Sequence, residues 1–298
     1  MTKVKSWILA ARPGTELAII SGILISSFIA IGQEECNFAA IGLSALTAIL
    51  LQILCNFAND YGDFKKGTDN AQRTGPQRMM QSGAISEKEM MIGMVLCGAA
   101  SLISGAILIF FVVNLTWIEL AVFAALGIAA IVAALLYTLG KHPYGYRGWG
   151  DLYCFFFFGW VTVFGTYYLA TKNLDFSVLL PATTIGFLSN AALNINNMRD
   201  IENDKTFGKN SLVVKIGLRR AFIYHVFLII GAFICLTVFC ILKQMPFYCY
   251  AFWLFAPFFA KDSVQIKKLE PSQLDPMFPR IVIMMFLLTL VFGITILI

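Results

Sequence analysis

Charged residues are scarce in this chain. Only 13% of its 298 residues are charged, whereas 59% are hydrophobic and the mean hydropathy is +0.77. Average globular proteins have about 25% charged and about 45–50% apolar residues. The composition therefore excludes an ordinary soluble enzyme, a disordered chain and a coiled coil. It also excludes a nucleic-acid-binding protein despite the net charge of +5, because such proteins display their basic residues on a wetted face.

Histidine and paired cysteine are also scarce. The two histidines, His142 and His225, lie far apart, and no two of the seven cysteines have the C-x-x-C spacing. Neither a zinc site nor a disulfide framework is expected from these spacings. Most of the cysteines fall within apolar runs, where we interpret them as small apolar packing residues.

Long apolar runs make up most of the chain. A helix crosses the hydrocarbon core of a bilayer with about 20 apolar residues. Nine such runs are present, at 14–33, 38–58, 90–113, 117–138, 151–171, 176–197, 221–242, 246–261 and 280–298. They leave no room for a separate soluble domain. The sequence therefore predicts an all-α polytopic membrane protein, with residues 1–298 forming a single membrane-embedded domain of nine helices.

The distribution of basic residues predicts the orientation of these helices. With nine spans, all of the 22 Lys and Arg residues except Lys172 and Lys243 fall on the side of the N-terminal tail. Basic residues accumulate in cytoplasmic loops of membrane proteins. We therefore expect a cytoplasmic N-terminus, cytoplasmic basic loops and an external C-terminus.

Two acidic clusters follow the second and sixth runs with a shared pattern. Asn-x-x-x-Asp occurs at Asn56 and Asp60 and again at Asn196 and Asp200. The offset between the two copies is the same for both residues, which predicts two related halves, at about 14–138 and 151–298. Residues with this spacing share a helix face, so the two clusters meet if the second and sixth spans face each other.

A further aspartate extends each cluster, Asp63 in the first and Asp204 in the second. Converging carboxylates repel one another unless cations neutralise them. Carboxylate and amide oxygens around a phosphate-rich substrate suit Mg²⁺. The predicted magnesium ligands are Asp60, Asp63, Asp200 and Asp204, assisted by Asn56 and Asn196. The simpler alternative is that these are polar groups at helix ends, where ionisable side chains reach water.

Basic and aromatic residues surround the acidic clusters. Tyr137 and Lys141 have helical spacing at the end of the fourth run, and Arg147 follows in a glycine-rich loop. Arg73 and Arg78 follow the first cluster, as Lys209 follows the second; together these groups suit the binding of a diphosphate. The alternative for each basic residue alone is a positive-inside anchor.

These motifs resemble those of the UbiA superfamily of intramembrane aromatic prenyltransferases. The similarity covers essentially the whole chain and includes Asn59-Asp-x-x-Asp63, Asp200-x-x-x-Asp204, Tyr137-x-x-x-Lys141 and Arg12-Pro13. The family's first motif often carries another aspartate where this chain has Gly67, and Asp69 is the nearest substitute. The resemblance implies nine helices around a central cavity that opens to the cytoplasm.

Within the superfamily, the stretches 59–69, 73–78 and 208–217 are similar to those of the 1,4-dihydroxy-2-naphthoate polyprenyltransferases of menaquinone synthesis. This resemblance implies transfer of a polyprenyl group from polyprenyl diphosphate to dihydroxynaphthoate, with loss of diphosphate and CO₂, giving demethylmenaquinone in the bacterial cytoplasmic membrane. It implies Mg²⁺ as cofactor, membrane lipid as surroundings, and neither a nucleic acid nor an obligatory protein partner. The implied catalytic residues are Asp60, Asp63, Asp200, Asp204 and Lys141. The implied substrate-binding residues are Arg12, Asn56, Asn59, Arg73, Arg78, Tyr137, Arg147, Asn196, Asn197 and Lys209.

The motifs leave two alternatives open. Other branches of the superfamily act on 4-hydroxybenzoate, homogentisate, protohaem or a lipid phosphate, and their diphosphate-binding motifs are the same. A secondary transporter with two related halves is a different class, although transporter sites tend to lie near the bilayer midplane. For a prenyltransferase, Phe155–Phe158, Tyr167 and Tyr168 are candidate aromatic walls that shelter an allylic cation; ordinary aromatic packing is the alternative.

Overall fold

The structure is a computed structural model that describes residues 2–33, 36–70, 73 and 75–298. Every regular element in these ranges is helical. This confirms the all-α membrane fold that the composition predicts.

The first half of the chain contains an amphipathic helix and four apolar helices. They are α1 (Lys3–Ala11), α2 (Pro13–Ile31), α3 (Phe38–Lys65), α4 (Glu87–Ile107, extended by a π-helical turn, Leu108–Val112) and α5 (Trp117–Leu136). Capping boxes begin α4 at Ser86 and α5 at Thr116, where the capping side chain accepts from the backbone N–H of the glutamate three residues later. Such caps satisfy the free N–H groups of a first helical turn.

The second half begins with a span in three parts. They are α6 (Gly150–Cys154), a π-helix (Phe155–Phe164) and α7 (Gly165–Thr171). The remaining helices are α8 (Leu179–Arg199), α9 (Ile201–Thr206), α10 (Leu212–Ile216), α11 (Leu218–Leu242), α12 (Ala256–Lys268) and α13 (Met277–Ile296). Short 3₁₀ turns occupy Tyr144–Arg147, Phe176–Val178 and Pro271–Gln273.

Eight helices of the described chain are long and apolar enough to cross a membrane. They correspond to eight of the nine predicted runs. The remaining run, 246–261, is a 3₁₀ helix (Phe247–Phe255) that continues into α12. The predicted ninth segment is therefore helical, but its tighter first half sets it apart from the other eight.

Ion pairs link the helices at both ends of the bundle. Lys65 pairs with Glu87 at 2.5 Å, and Arg199 pairs with Asp275 at 2.6 Å; we call this the basic end. At the opposite end, Glu119 of α5 pairs with Lys172 at 2.7 Å. These pairs place Lys65 and Arg199 at one end of the bundle and Lys172 at the other, the separation that the sequence predicts for these three residues.

The interior of the bundle is built mainly around α8. This helix is largely buried and packs against α11 and against the π-helix Phe155–Phe164, while α2 packs along α13. In contrast, α5 is the least buried span and packs mainly against α3. The bundle therefore has a tight side and a loose side, and the loose side lies beside α5.

The contact between α2 and α13 yields a stability prediction. A Cβ atom added to Gly293 of α13 would lie 1.9 Å from Phe28 Cδ2 of α2. Overpacking of this kind costs typically about 1–3 kcal/mol, so Gly293→Ala should lower the melting temperature of the purified protein. Gly42→Ala is the control, because that Cβ would meet no atom within 4 Å. Equal melting temperatures for both variants would contradict the packing.

Candidate active site

A cavity of about 510 Å³ runs into the bundle from the basic end. Charged and amide side chains line its mouth, and apolar side chains from α3, α4, α5 and α7 line its interior. The charged groups therefore lie at the ends of the spans and not at their centres, unlike the midplane sites of transporters. A charged head and an apolar tail of one ligand fit this arrangement.

Most of the predicted site residues come together at this mouth. Those that line the cavity are Arg12, Asn56, Asn59, Asp63, Arg73, Arg78, Tyr137, Asn196, Asn197, Asp200, Asp204 and Lys209. The two acidic clusters thus share one cavity, as predicted from their matched spacing. Asp60, Lys141 and Arg147 are not among the residues that line it.

Helical geometry explains how α3 and α8 present their residues. Asn56, Asn59 and Asp63 lie three and seven residues apart on the continuous helix α3, so they share one face. Helix α8 ends at Arg199, and Asp200 is the junction with the short helix α9. This break changes the chain direction between Asn196 and Asp204, but all three members of the second cluster still line the cavity.

Lys209 connects the two acidic clusters. Its ammonium nitrogen lies 3.4 Å from Asp63 Oδ2 and 4.0 Å from Asp204 Oδ1. Burial disfavours the charged form of Lys209, but the two carboxylates outweigh it and raise the pKa of the ammonium well above its usual value. Burial also raises the pKa of Asp204 to about 6, and the nearby Asp200 and Asp63 add to the increase. The lysine thus neutralises a carboxylate pair that would otherwise be buried without a counterion.

Two arginines neutralise Asp200. Arg199 donates to both of its oxygens, at 2.9 and 2.8 Å, and Arg73 Nη2 lies 3.5 Å from Oδ2. Burial opposes ionisation of Asp200, but the hydrogen bonds and charge of Arg199, followed by the charge of Arg73, lower its pKa below the usual value. Bidentate pairing of this kind is the preferred geometry of arginine with planar anions.

A second arginine group lies beside the first acidic cluster. Arg12, Arg73 and Arg78 all line the cavity, and burial together with the charges of Arg12 and Arg73 lowers the pKa of Arg78. Arg73 Nε also lies 3.1 Å from Asp69 Oδ1. Burial, then the charge of Asp63, raises the pKa of Asp69 to about 6. Converging guanidinium groups at a cavity mouth form a site for a multiply charged anion.

Arg12 holds an unusual backbone conformation at the corner between α1 and α2. Its φ of 56° lies in the left-handed region, which non-glycine residues rarely adopt. Asn56 Nδ2 donates to the carbonyl of Ala11 at 2.8 Å, and Thr15 Oγ1 donates to the carbonyl of Arg12 at 2.9 Å. These bonds stabilise the corner and keep the Arg12 side chain at the cavity.

Asp60 is not among the residues that line the cavity, although the sequence predicts it as a magnesium ligand. Its side chain is only 1% exposed, and its Oδ2 accepts from the backbone N–H of Met79 at 3.3 Å. Arg12 and Arg78 lie close enough to act on its charge. Asp60 Oδ1 is also buried and has no hydrogen-bond partner among the described residues. Its position suits an anchor for the two arginines.

Lys141 and Arg147 are also displaced from the site. Helix α5 ends at Leu136, and Gly140 turns the chain with a φ of 85°. The helical spacing of Tyr137 and Lys141 therefore does not hold, and only Tyr137 faces the cavity. Both Lys141 and Arg147 are exposed, and the carbonyl of Arg147 accepts from Lys215 Nζ.

The apolar part of the cavity uses part of the predicted aromatic wall. Phe157 and Phe158 line the cavity, whereas Phe155, Phe156, Tyr167 and Tyr168 do not. Tyr167 is fully buried, and the Tyr168 hydroxyl donates to Glu119 at the opposite end of the bundle. The two cavity phenylalanines belong to the π-helix, a wide form of helix that is common at functional sites.

Three residues that the sequence analysis did not single out complete the mouth. Arg199 holds Asp200, the Tyr146 hydroxyl donates to Asp63 Oδ1 at 2.7 Å, and Thr68 lines the cavity. The sequence feature that could have identified Arg199 is its position directly before Asp200, a predicted metal ligand. Tyr146 gave no such signal, since it lies 83 residues from Asp63 along the chain.

The carboxylates at the cavity mouth suit a magnesium ion that is bound together with the phosphates of a substrate. No three acidic, histidine or cysteine side chains of the described residues converge into a protein-only metal cage. Mg²⁺ usually binds through one or two carboxylates plus the phosphates of a substrate. Asp63, Asp200 and Asp204 supply such carboxylates around one cavity mouth. Asp69 Oδ2 is buried and has no hydrogen-bond partner among the described residues, which leaves another acceptor nearby.

The role of Lys209 can be tested through stability. Lys209→Met removes the cation between Asp63 and Asp204, and breaking a buried charge pair costs roughly 3–5 kcal/mol. We expect a lower melting temperature in EDTA and partial recovery with Mg²⁺, which replaces the lost positive charge. Lys205→Met is the control, because Lys205 is exposed on α9, the short helix just before Lys209. Equal melting of the two variants would show that Lys209 does not neutralise the carboxylates.

Comparisons with known proteins agree with this geometry. The UbiA prenyltransferase family matches residues 19–294. The chain is similar to the 1,4-dihydroxy-2-naphthoate octaprenyltransferase of Haemophilus influenzae, at 41% identity over 99% of this chain and 97% of that protein. It is also similar to the Escherichia coli protein of the same name, at 37% identity over 95% of this chain and 92% of that protein.

Solved structures show the same fold. A UbiA homolog from Archaeoglobus fulgidus bound to DMAPP and Mg²⁺ has a TM-score of 0.60 at 15% identity, over 97% of this chain and 99% of that one. The apo structure of a UbiA homolog from Aeropyrum pernix has a TM-score of 0.62 at 16% identity, over 96% and 98% of the two chains. At these identities the similarity concerns the helical architecture.

Proposed function

The chain belongs to the UbiA prenyltransferase family, and we propose that it transfers a polyprenyl group from polyprenyl diphosphate to 1,4-dihydroxy-2-naphthoate. The reaction releases diphosphate and CO₂ and gives demethylmenaquinol, the hydroquinone form of demethylmenaquinone, a step of menaquinone biosynthesis. Similarity over nearly the full length to two 1,4-dihydroxy-2-naphthoate octaprenyltransferases carries this proposal. The cavity supports it, because a charged mouth and an apolar interior match a donor with a diphosphate head and a prenyl tail.

The cavity mouth supplies the groups that bind the diphosphate. Asp63, Asp200 and Asp204 are the carboxylates that would hold Mg²⁺, with the Asn56 and Asn196 amides beside them. When bound, Mg²⁺ supplies positive charge to the oxygens of the departing diphosphate. A UbiA homolog of the same fold was solved with Mg²⁺ and DMAPP. That finding supports the same metal requirement here.

The basic side chains act on the leaving group directly. Arg73, Arg78 and Lys209 line the mouth and would donate charge-assisted hydrogen bonds to the diphosphate. Such donors stabilise charge that develops as the carbon–oxygen bond of the donor breaks. The electron pair leaves with the diphosphate, and the resulting allylic cation lies near Phe157 and Phe158, whose ring faces attract cations.

The acceptor completes the reaction as a nucleophile. Its electron-rich ring carbon forms a bond to the allylic carbon, and the bond to the carboxyl group then breaks, returning its electron pair to the ring as CO₂ departs. Of the two basic residues considered for the acceptor carboxylate, Arg12 lines the cavity and Arg147 is exposed. We therefore assign the carboxylate to Arg12.

The prenyl tail would leave the cavity beside α5. A cavity of about 510 Å³ is within the range of about 300–1,000 Å³ that suits drug-sized ligands, so a diphosphate and a two-ring acceptor leave little room for an octaprenyl chain. Ile128 lines the cavity and is 58% exposed to the bundle surface. Gly127 has open space where a side chain would stand. Both features support an exit for the tail into lipid on this loose side.

The basic end of the bundle would face the cytoplasm. This orientation follows from the concentration of Lys and Arg at that end. It would open the active site to the compartment that supplies a charged, water-soluble acceptor, while the apolar donor enters from the membrane. The C-terminus after α13 would then lie outside.

The acceptor can be identified with purified protein and a labelled polyprenyl diphosphate. We expect mass spectrometry to detect demethylmenaquinol, or demethylmenaquinone after oxidation by air, when dihydroxynaphthoate is the acceptor. We expect EDTA to stop product formation until Mg²⁺ is restored. 4-Hydroxybenzoate and homogentisate are the matched alternatives, since the diphosphate site is common to all three reactions. A product from either of these, with none from dihydroxynaphthoate, would assign the chain to another branch of the family.

A further inference from the structure

Tyr146 lies at the centre of the contacts above the diphosphate site. It belongs to the short 3₁₀ turn Tyr144–Arg147 between α5 and α6. Its hydroxyl lies 2.7 Å from Asp63 Oδ1 and 2.6 Å from Thr68 Oγ1. An ionised carboxylate only accepts hydrogen bonds. The tyrosine proton is therefore donated to Asp63, and Thr68 donates to the tyrosine oxygen.

The ring of Tyr146 also contacts the cation that neutralises Asp63. Lys209 Nζ lies 5.5 Å from the ring centroid and 3.4 Å from Asp63 Oδ2. Lys66 Nζ lies 5.4 Å from the same centroid. Tyr146 thus acts on both oxygens of Asp63, on Oδ1 through its hydroxyl and on Oδ2 through the lysine that its ring attracts.

The backbone of Tyr146 joins a third segment to this arrangement. Its carbonyl accepts from the N–H of Asn210 at 3.1 Å, just beyond Lys209. The segments after α3, after α5 and after α9 therefore meet at one side chain.

We propose that Tyr146 is a positioning residue, which fixes Asp63 for Mg²⁺ and keeps Lys209 in place for the diphosphate. The inference rests on the proposed function, because it concerns the same metal and diphosphate. With Oδ1 held by the tyrosine, Oδ2 is the oxygen of Asp63 that can exchange Lys209 for a metal ion. Partners that orient a metal ligand typically contribute about 10–100-fold to metal affinity.

A second set of hydrogen bonds joins the segment after α3 to α9. It allows the positioning role of Tyr146 to be distinguished from a purely structural role. Asn70 Nδ2 donates to Asn203 Oδ1 at 3.0 Å, and Asn203 Nδ2 donates to the carbonyl of Thr68 at 2.9 Å. These bonds join the segment after α3 to helix α9 without Tyr146. Loss of the tyrosine hydroxyl therefore leaves the two connected, and Asn203→Ala loosens them without touching Asp63.

The test measures metal binding without turnover. The full-length protein in detergent is melted with inorganic diphosphate and increasing Mg²⁺, and the Mg²⁺ concentration at half-maximal stabilisation is compared between variants. Tyr146→Phe keeps the ring but removes the hydroxyl, and should raise this concentration about tenfold or more. Tyr144→Phe is the matched control. Tyr144 belongs to the same turn as Tyr146, but its hydroxyl donates to the carbonyl of Ala133 and not to Asp63. It should leave the midpoint unchanged, as should Asn203→Ala.

Each result has a defined meaning. A midpoint for Tyr146→Phe within about twofold of the unaltered protein, or an equal shift in Tyr144→Phe or Asn203→Ala, would overturn the positioning role. If Tyr146→Phe does not fold, Thr68→Val removes the donor to the tyrosine oxygen and should shift the midpoint in the same direction, by less; an unchanged midpoint would refute the proposal. If the unaltered protein shows no stabilisation by Mg²⁺ and diphosphate, the proposed function itself fails.

Discussion

Neutralisation of buried carboxylates at one end of the bundle is the constraint on which the rest of the site depends. Removing a charge from water is costly unless a partner compensates for it. Here Lys209 lies between Asp63 and Asp204, and Arg199 holds Asp200 with two hydrogen bonds. The Lys209 contacts join the end of α3 to α9. The ion pairs that hold the basic end of the fold together therefore also bring the residues of the candidate active site together.

The same ion pairs suit the site to exchange its partners. The carboxylates are matched with Arg and Lys side chains, and the complex of Mg²⁺ with a diphosphate carries both kinds of charge. When this proposed ligand binds, carboxylates would turn to the metal and basic groups to the phosphates, so each charge would keep a partner in both states. This explains how Asp63 and Asp204 tolerate burial without a cage of protein ligands. The apolar walls of the cavity would then shelter the allylic cation of the proposed reaction from water.

The sequence predicts the architecture well because its signals are local. Apolar runs of membrane-spanning length and the matched clusters at Asn56 and Asn196 are visible within one or two helices, and the structure confirms one shared cavity. Prediction from the sequence fails where the chain turns, or where two residues in contact lie far apart along the sequence. A turn at Gly140 removes Lys141 from the helical face of Tyr137, and Asp60 accepts a hydrogen bond from the backbone of Met79, 19 residues away. Tyr146 meets Asp63 only through tertiary structure.

Binding of diphosphate with Mg²⁺ to single and double variants tests most directly whether the two acidic clusters form one site. The variants Asp63→Asn and Asp200→Asn take one carboxylate from each cluster, and isothermal titration compares them with their combination. Residues that share partners give non-additive effects, whereas independent sites give additive ones. We predict that each single change weakens binding at least about tenfold, and that the double variant loses little more. Wild-type affinity in either single variant, or strictly additive losses, would contradict a shared site.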